Sequence, residues 1–312
     1  MKKIALLGAT GYIGKSLLYE FVQGGNVRLF LFSRSKKNLE SVMNLVFKNV
    51  ISNTCEISIH TLEEFNAYTY DAIINCTGIG DQAILKNDVS KIFEVTESVD
   101  KMIIAYITKK INTKYINMSS GAVYGNSFTK PVTEKTKIVF NDKKFSAYEY
   151  YAIAKINSEA KHRALNNLHI IDIRIFAFFS HFFDSDASFF MSQVASCIKN
   201  KKVFETSDSD MVRDYVSTKD LYYFIKLCID DRDHNNDFFD IYSKKPISKF
   251  EILSYLHENF GLRYTFYKSE KTKDISFKNI YYSKNKKAKN IGYEPEFSSI
   301  ESISEELKKI LS

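Results

Sequence analysis

The sequence predicts an α/β protein in which a doubly wound parallel sheet is followed by a smaller, mixed α/β portion. Three observations carry this. A short apolar run, Ile4-Ala5-Leu6-Leu7, passes through the glycine-rich turn Gly8-Ala9-Thr10-Gly11-Tyr12-Ile13-Gly14 into residues 15–21, which have helical spacing. Apolar runs of strand length then alternate with helical stretches as far as Phe176. Beyond Phe176 the alternation loosens.

Strand, glycine turn and helix in that order form the phosphate-binding corner of a dinucleotide (Rossmann) fold. Gly8, Gly11 and Gly14 provide for a tight turn, a close backbone approach to a pyrophosphate, and close packing of helix on strand. The N–H groups around Thr10, Tyr12 and Ile13 at the helix start then face the phosphates. The second strand, 27–32, runs into Ser33-Arg34-Ser35-Lys36-Lys37, with no carboxylate before Glu40. An acidic group there would repel a ribose 2′-phosphate, whereas a guanidinium pairs with it bidentately. Arg34, helped by Ser33 and Lys36, therefore argues for NADP(H) over NAD.

Further strands are expected at 55–60 and 70–76, the second leading into Thr77-Gly78-Ile79-Gly80. Ligands of a parallel sheet sit at the carboxyl ends of its strands, so Cys76, Thr77 and Gly78 join the expected cofactor site. A helix over 92–110, a strand at 115–118, a helix over 148–166 and a strand at 170–176 complete the alternation. The later half should hold helices at 188–199, 220–230, 247–259 and 300–311, with short strands between them. We divide the chain into a cofactor domain, 1–176, to which about 212–242 returns, and a substrate-binding portion, 177–312.

Composition removes several classes of function. At 312 residues there is ample apolar content for a core. Met1-Lys2-Lys3 and the brief apolar run broken by Gly8 are too short for a signal peptide, and no stretch has the length to span a bilayer. Cys55, Cys76, Cys197 and Cys228 are scattered without paired spacing, which reads as reduced thiols in a cytoplasmic protein. The histidines show no ligand spacing, so no metal is expected. The net charge of +7 is spread among acids, without the basic stripe of a nucleic-acid binder.

The chemistry-bearing residues lie downstream of the 115–118 strand. Ser119-Ser120-Gly121-Ala122-Val123-Tyr124-Gly125 is followed by Tyr148-Glu149-Tyr150-Tyr151-Ala152-Ile153-Ala154-Lys155. A Tyr and a Lys four apart on a helix share a face, and an ammonium beside a phenol makes it a usable proton donor or acceptor. The spacing alone selects nothing, since Tyr106/Lys110, Tyr215/Lys219, Tyr222/Lys226 and other pairs repeat it. Position selects Tyr151 and Lys155, after the strand-end serines and before the next strand. Tyr148 and Tyr150 both have Ala at the fourth place.

On these motifs, with Val212-Arg213-Asp214-Tyr215-Val216, Asp220-Leu221 and the closing Ile291-Gly292-Tyr293-Glu294-Pro295, the chain resembles the extended short-chain dehydrogenase/reductase family over nearly its full length. Its sugar-nucleotide epimerases, dehydratases and reductases are the nearest in pattern. The resemblance implies that Ser120 is the catalytic serine, Tyr151 the acid/base and Lys155 the residue holding the nicotinamide ribose. It further implies Arg213 on the diphosphate of a sugar nucleotide, with Ser120 and Ala122 against the substrate; a salt bridge to Asp214 is the competing role for Arg213. For Ser119 a strand-end hydrogen bond to backbone is expected.

The departures are informative. Dehydratases of the family carry Asp-Glu after the catalytic Ser/Thr, where this chain has Gly121 and Ala122, neither able to move a proton. The usual asparagine after Arg-x-Phe is Ala177, the segment 178–183 is aromatic in place of Tyr-Gly-Pro, and His60-Thr61 replaces the usual Asp after the third strand. The leading reading is therefore an NADPH-dependent reductase of a keto group on a nucleotide-activated sugar, for surface polysaccharide. The alternatives are a sugar-nucleotide epimerase with bound NAD(P) and a non-catalytic NADP-sensing regulator. Relatives dimerise through the helices at 92–110 and 148–166, so a homodimer is a further expectation.

Overall fold

The computed structural model describes residues 1–48, 54–80, 88–125, 128–140, 145–231, 236–268 and 279–312. The chain opens with strand β1 (Lys2–Leu7), helix α1 (Tyr12–Gly24), β2 (Val27–Ser33), α2 (Lys36–Phe47), β3 (Glu56–Thr61) and β4 (Ala72–Asn75). Helix α3 (Lys91–Ile107), β5 (Lys114–Ser120), α4 (Ala147–Ala164) and β6 (Ile170–Ile175) follow. Apart from α2, for which the sequence pattern assigns no helix, these elements match the sequence expectations, with ends moved by a few residues.

The main sheet has seven strands, all parallel, in the order Asn236–Asp240, β6, β5, β4, β1, β2, β3. Side chains of a strand alternate between faces, and β1 shows the result. Ile4 and Leu6 pack with Leu17, Leu18 and Phe21 of α1 and Leu39 of α2, whereas Ala5 and Leu7 pack with Val99, Ile103 and Ile107 of α3. Two apolar faces covered by helices make the sheet doubly wound. The strand order turns back between β1 and β4, and that reversal opens a crevice at the carboxyl ends of both strands.

Of the 212–242 stretch, Asn236–Asp240 joins the main sheet beside β6, and the Thr218–Asp230 helix packs Leu221, Phe224 and Ile225 onto the same core as α1. Val212–Arg213 lies elsewhere, in a small sheet between Ile247–Ser248 and Ile280–Tyr281. A separate core gathers Met191, Val194, Leu253, Leu256, Ile303 and Leu307 from the later helices. The aromatic run at 178–183 has a packing reason. Phe179 and Phe182 are buried, Phe178 lies edge-on to Tyr12, and Ser180 hydrogen-bonds Ser16 of α1 at 2.8 Å.

Helix α4 is fixed to the sheet by buried charge. His162 lies between Asp100 of α3 (2.7 Å) and Asp172 of β6 (2.9 Å), and Asn117 of β5 donates to Asp172 at 2.7 Å. Burial alone would lower the imidazole pKa, but the two carboxylates outweigh it and lift it to about 9. No disulfide joins the four cysteines. Among the described residues no helix is long and apolar enough to cross a membrane, and no cluster of metal-ligating side chains is present.

Candidate active site

The glycine turn is shaped as its spacing implies. Gly8 has φ +74°, and a Cβ there would meet the Cys76 carbonyl group and the Thr77 nitrogen at 2.8–2.9 Å. A Cβ on Gly14 would fall 2.1 Å from the Gly8 carbonyl oxygen, so only glycine lets α1 lie this close to the turn. Gly11 donates to the Gly8 oxygen at 2.9 Å and caps α1, with no side chain capping the first turn and no acid within it. The N–H groups of that turn are thus offered to an anion rather than to a protein carboxylate. Thr10 and Ile13 are half-buried beside it. The Tyr12 phenol turns away from the turn and accepts from the Ser180 nitrogen at 2.6 Å, so any phosphate contact by Tyr12 belongs to its backbone.

Across the crevice, Asn75 Oδ1 accepts from the Thr77 nitrogen (3.0 Å) and hydroxyl (2.5 Å), which shapes the turn after β4. Burial pushes the Cys76 thiol up to about 12, so it stays neutral there. Gly78 has φ +155°, a conformation that favours glycine, and the Lys155 ammonium lies in ordinary contact distance of it, 3.4 Å from where a Cβ would be. A cradle of this kind, glycine-walled with an uncapped helix start and a buried ammonium, fits a dinucleotide.

At the adenosine end, Ser33 accepts from the Ser35 nitrogen at 3.3 Å and Arg34 is exposed. Lys36 forms an ion pair with Glu64, 2.9 Å away, from the short helix after β3. That ammonium and the Thr61 N–H hold the Glu64 carboxyl down at about 2. Lys36 is thus engaged with Glu64, whereas Arg34 is exposed. Sequence reasoning missed Glu64 because the carboxylate comes from the helix that follows the neighbouring strand.

Lys155 is buried and donates to the Met118 carbonyl of β5 at 2.8 Å, with its ammonium 6.0 Å from the centre of the Tyr151 ring. Tyr150, one residue earlier, instead faces Phe93 and Phe145. Ser119 is bound to the Glu159 carboxylate at 2.5 Å, a side-chain partner in place of the backbone expected for it. Glu159 in turn pairs with Arg174. Ser120 is the serine left facing the site, its Oγ accepting from the Ala122 nitrogen at 3.2 Å. Ala122 is fully buried and acts there through that backbone group. A Cβ on Gly121 would strike the Phe176 ring at 2.5 Å, so a carboxylate has no room at this position.

Arg213 donates to the Val212 carbonyl at 2.8 Å, and its guanidinium lies 5.7 Å from the centre of the Tyr281 ring. Burial lowers its pKa, opposed by Tyr215, Tyr281 and Tyr148 around it. Asp214 turns to the Ser243 nitrogen (3.0 Å) and the Ser299 hydroxyl (3.3 Å), a structural role separate from Arg213. Tyr281 and Tyr148, neither of them assigned to the site from sequence, complete the cluster. The Tyr281 hydroxyl lies 3.4 Å from Ser120 Oγ, and the buried Tyr148 hydroxyl faces Tyr281. Tyr148 had a signal, since positions 148, 151 and 155 share a helical face.

A model of the NAD-dependent epimerase/dehydratase family matches residues 4–241. No curated protein matches the chain. Among solved structures, it is similar to UDP-glucose 4-epimerase from Stenotrophomonas maltophila with bound NAD and a formylated UDP-arabinopyranose. That pair shares 15% identity over 100% of this chain and 98% of the other, with a TM-score of 0.82. UDP-glucuronic acid 4-epimerase from Bacillus cereus gives 16% identity, coverage of 99% and 98%, and a TM-score of 0.79. dTDP-glucose 4,6-dehydratase from Bacillus anthracis, in complex with NAD, gives 15% identity, coverage of 99% and 96%, and a TM-score of 0.75.

Proposed function

The chain belongs to the NAD-dependent epimerase/dehydratase family, and from that premise we propose that it is a sugar-nucleotide epimerase working on a nicotinamide dinucleotide it retains. The observation that carries this reading is the Ser120, Tyr151 and Lys155 arrangement, together with a Gly121 whose space is filled by Phe176. The first can move a proton at a carbinol oxygen; the second leaves no place for an acidic side chain at 121, and Ala122 beside it cannot move a proton. The 4-epimerases among the similar structures support the same choice. This reading replaces ketoreductase as the leading one.

In this account the Gly8–Gly14 corner and the start of α1 hold the pyrophosphate, and Lys155 holds the nicotinamide ribose. When bound, the cofactor supplies a hydride acceptor and donor at one sugar carbon. Tyr151 takes the hydroxyl proton of that carbon and returns it after the sugar has presented its other face. Ser120 holds the reacting oxygen by a hydrogen bond through both halves of the cycle. Arg213 binds the nucleoside diphosphate, which lets the sugar turn without leaving.

A second reading, an NADPH-dependent reductase of a keto sugar nucleotide, is favoured by one feature. Arg34 stands exposed at the end of β2, where the neighbouring carboxylate is engaged with Lys36. The test is to denature the purified protein, identify the released dinucleotide, and offer the native protein nucleoside-diphosphate hexoses with no cofactor added. Interconversion of epimers without net nicotinamide oxidation or reduction is the expected result. Stoichiometric NADPH oxidation by keto sugar nucleotides alone would move the assignment to the reductase.

A further inference from the structure

Tyr281 lies on the strand Ile280–Tyr281, whose register partner for Tyr281 is Arg213. It is buried, with its ring edge-on to Phe128 (4.7 Å) and tilted against Phe176 (5.1 Å). A phenylalanine would fill that aromatic nest equally well. A buried hydroxyl without a partner costs roughly 1–3 kcal/mol, so this one needs a use. It faces two other hydroxyls, Ser120 Oγ at 3.4 Å and that of Tyr148 on the Tyr151/Lys155 helix. Catalytic hydrogen bonds are often this long before substrate binds.

A serine hydroxyl has one hydrogen to donate and two lone pairs. The Ala122 N–H occupies one lone pair of Ser120. We propose that the Tyr281 hydroxyl occupies the other, so that the single Ser120 hydrogen is left to point at the reacting oxygen of the sugar. Tyr281 is then a positioning residue, with the Tyr148 hydroxyl behind it. A bond from Tyr281 would polarise the Ser120 hydroxyl toward the substrate oxygen. It also gives the small sheet a second purpose, because one strand pair carries both the diphosphate grip, Arg213, and the support of the serine. The inference rests on the sugar-nucleotide reading above.

The test is a double-mutant cycle on the intact protein, with nucleoside-diphosphate hexose conversion as the assay. Tyr281→Phe should lower kcat by about 10- to 100-fold, with KM and dinucleotide affinity within about twofold of wild type. Ser120→Ala should lower it at least as much, and the double variant should be no worse than Ser120→Ala alone, because Tyr281 acts through Ser120. Tyr148→Phe should fall in the same direction by less, and it serves if Tyr281→Phe does not fold. Losses that multiply in the double variant, a loss confined to KM, or a Tyr281→Phe protein as active as wild type would each overturn the proposal. An inactive wild-type protein would instead refute the sugar-nucleotide reading on which it stands.

Discussion

Replacing Gly14 by alanine should separate α1 from the turn it packs on. The new Cβ would stand 2.1 Å from the Gly8 oxygen, 2.8 Å from the Gly8 carbonyl carbon and 2.9 Å from the Ala9 Cα. Ordinary contact begins near 3.4 Å, so helix and turn must part by roughly 1 Å, and every atom in the way is backbone. Overpacking of this kind costs about 1–3 kcal/mol, which lowers Tm by roughly 2–5 °C in a chain of this size. The same displacement moves the first-turn N–H groups off the pyrophosphate. Each hydrogen bond to a charged group is worth about 1.5–3 kcal/mol, so dinucleotide affinity should fall by about tenfold or more. Gly80→Ala is the control, because a Cβ there meets open space. The assay is fluorescence titration with NAD and NADP of protein stripped of retained cofactor, alongside thermal melts. A Gly14→Ala protein with unchanged Tm and undiminished affinity would refute the packing argument and the pyrophosphate site built on it.

Arg34→Asp should weaken NADP binding by roughly 1.5–3 kcal/mol and NAD binding far less, which competitive titration of both dinucleotides will measure. Equal losses would remove the 2′-phosphate role. Arg213→Ala should raise KM for a nucleoside-diphosphate sugar about 10- to 100-fold with kcat little changed, and a nucleoside diphosphate should inhibit the variant poorly. The fold should survive, since Asp214 is held by Ser243 and Ser299. His162, lifted to about 9 from an ordinary 6.5, stabilises the fold fully below about pH 6.5 and loses that contribution as pH rises through 9. Urea denaturation between about pH 6 and pH 10 should show roughly 3 kcal/mol more loss in wild type than in His162→Gln; parallel curves would contradict the role assigned to the Asp100–His162–Asp172 cluster.

Local pattern made much of this molecule legible. The turn at 8–14, the alternation of strands and helices, and Tyr151 with Lys155 all depend on residues close in sequence, where spacing translates directly into geometry. The structure also gives reasons for the departures: Gly121 faces the Phe176 ring, and the aromatic residues at 178–183 pack the segment on α1. What stayed hidden depends on chain segments far apart. Glu64 reaches Lys36 only because β2 and β3 pair, and Tyr281 reaches Ser120 only because Ile280–Tyr281 aligns with Val212–Arg213. His162 showed no ligand spacing, and its partners Asp100 and Asp172 come from two other elements. Tyr148 was set aside by a rule about Tyr and Lys at one interval, although its spacing to Tyr151 placed both on one face.

The central claim is that Tyr151, beside Lys155, moves the hydroxyl proton of the reacting sugar carbon. Steady-state conversion of a nucleoside-diphosphate hexose by Tyr151→Phe and Tyr150→Phe measures it most directly, with dinucleotide binding followed in both. The account predicts that Tyr151→Phe keeps the cofactor and loses about two to four orders of magnitude in kcat, as expected for removal of a positioned acid/base. Tyr150→Phe, whose ring faces Phe93 and Phe145, should stay close to wild type. A Tyr151→Phe protein with nearly full turnover, or a larger loss in Tyr150→Phe, would contradict it.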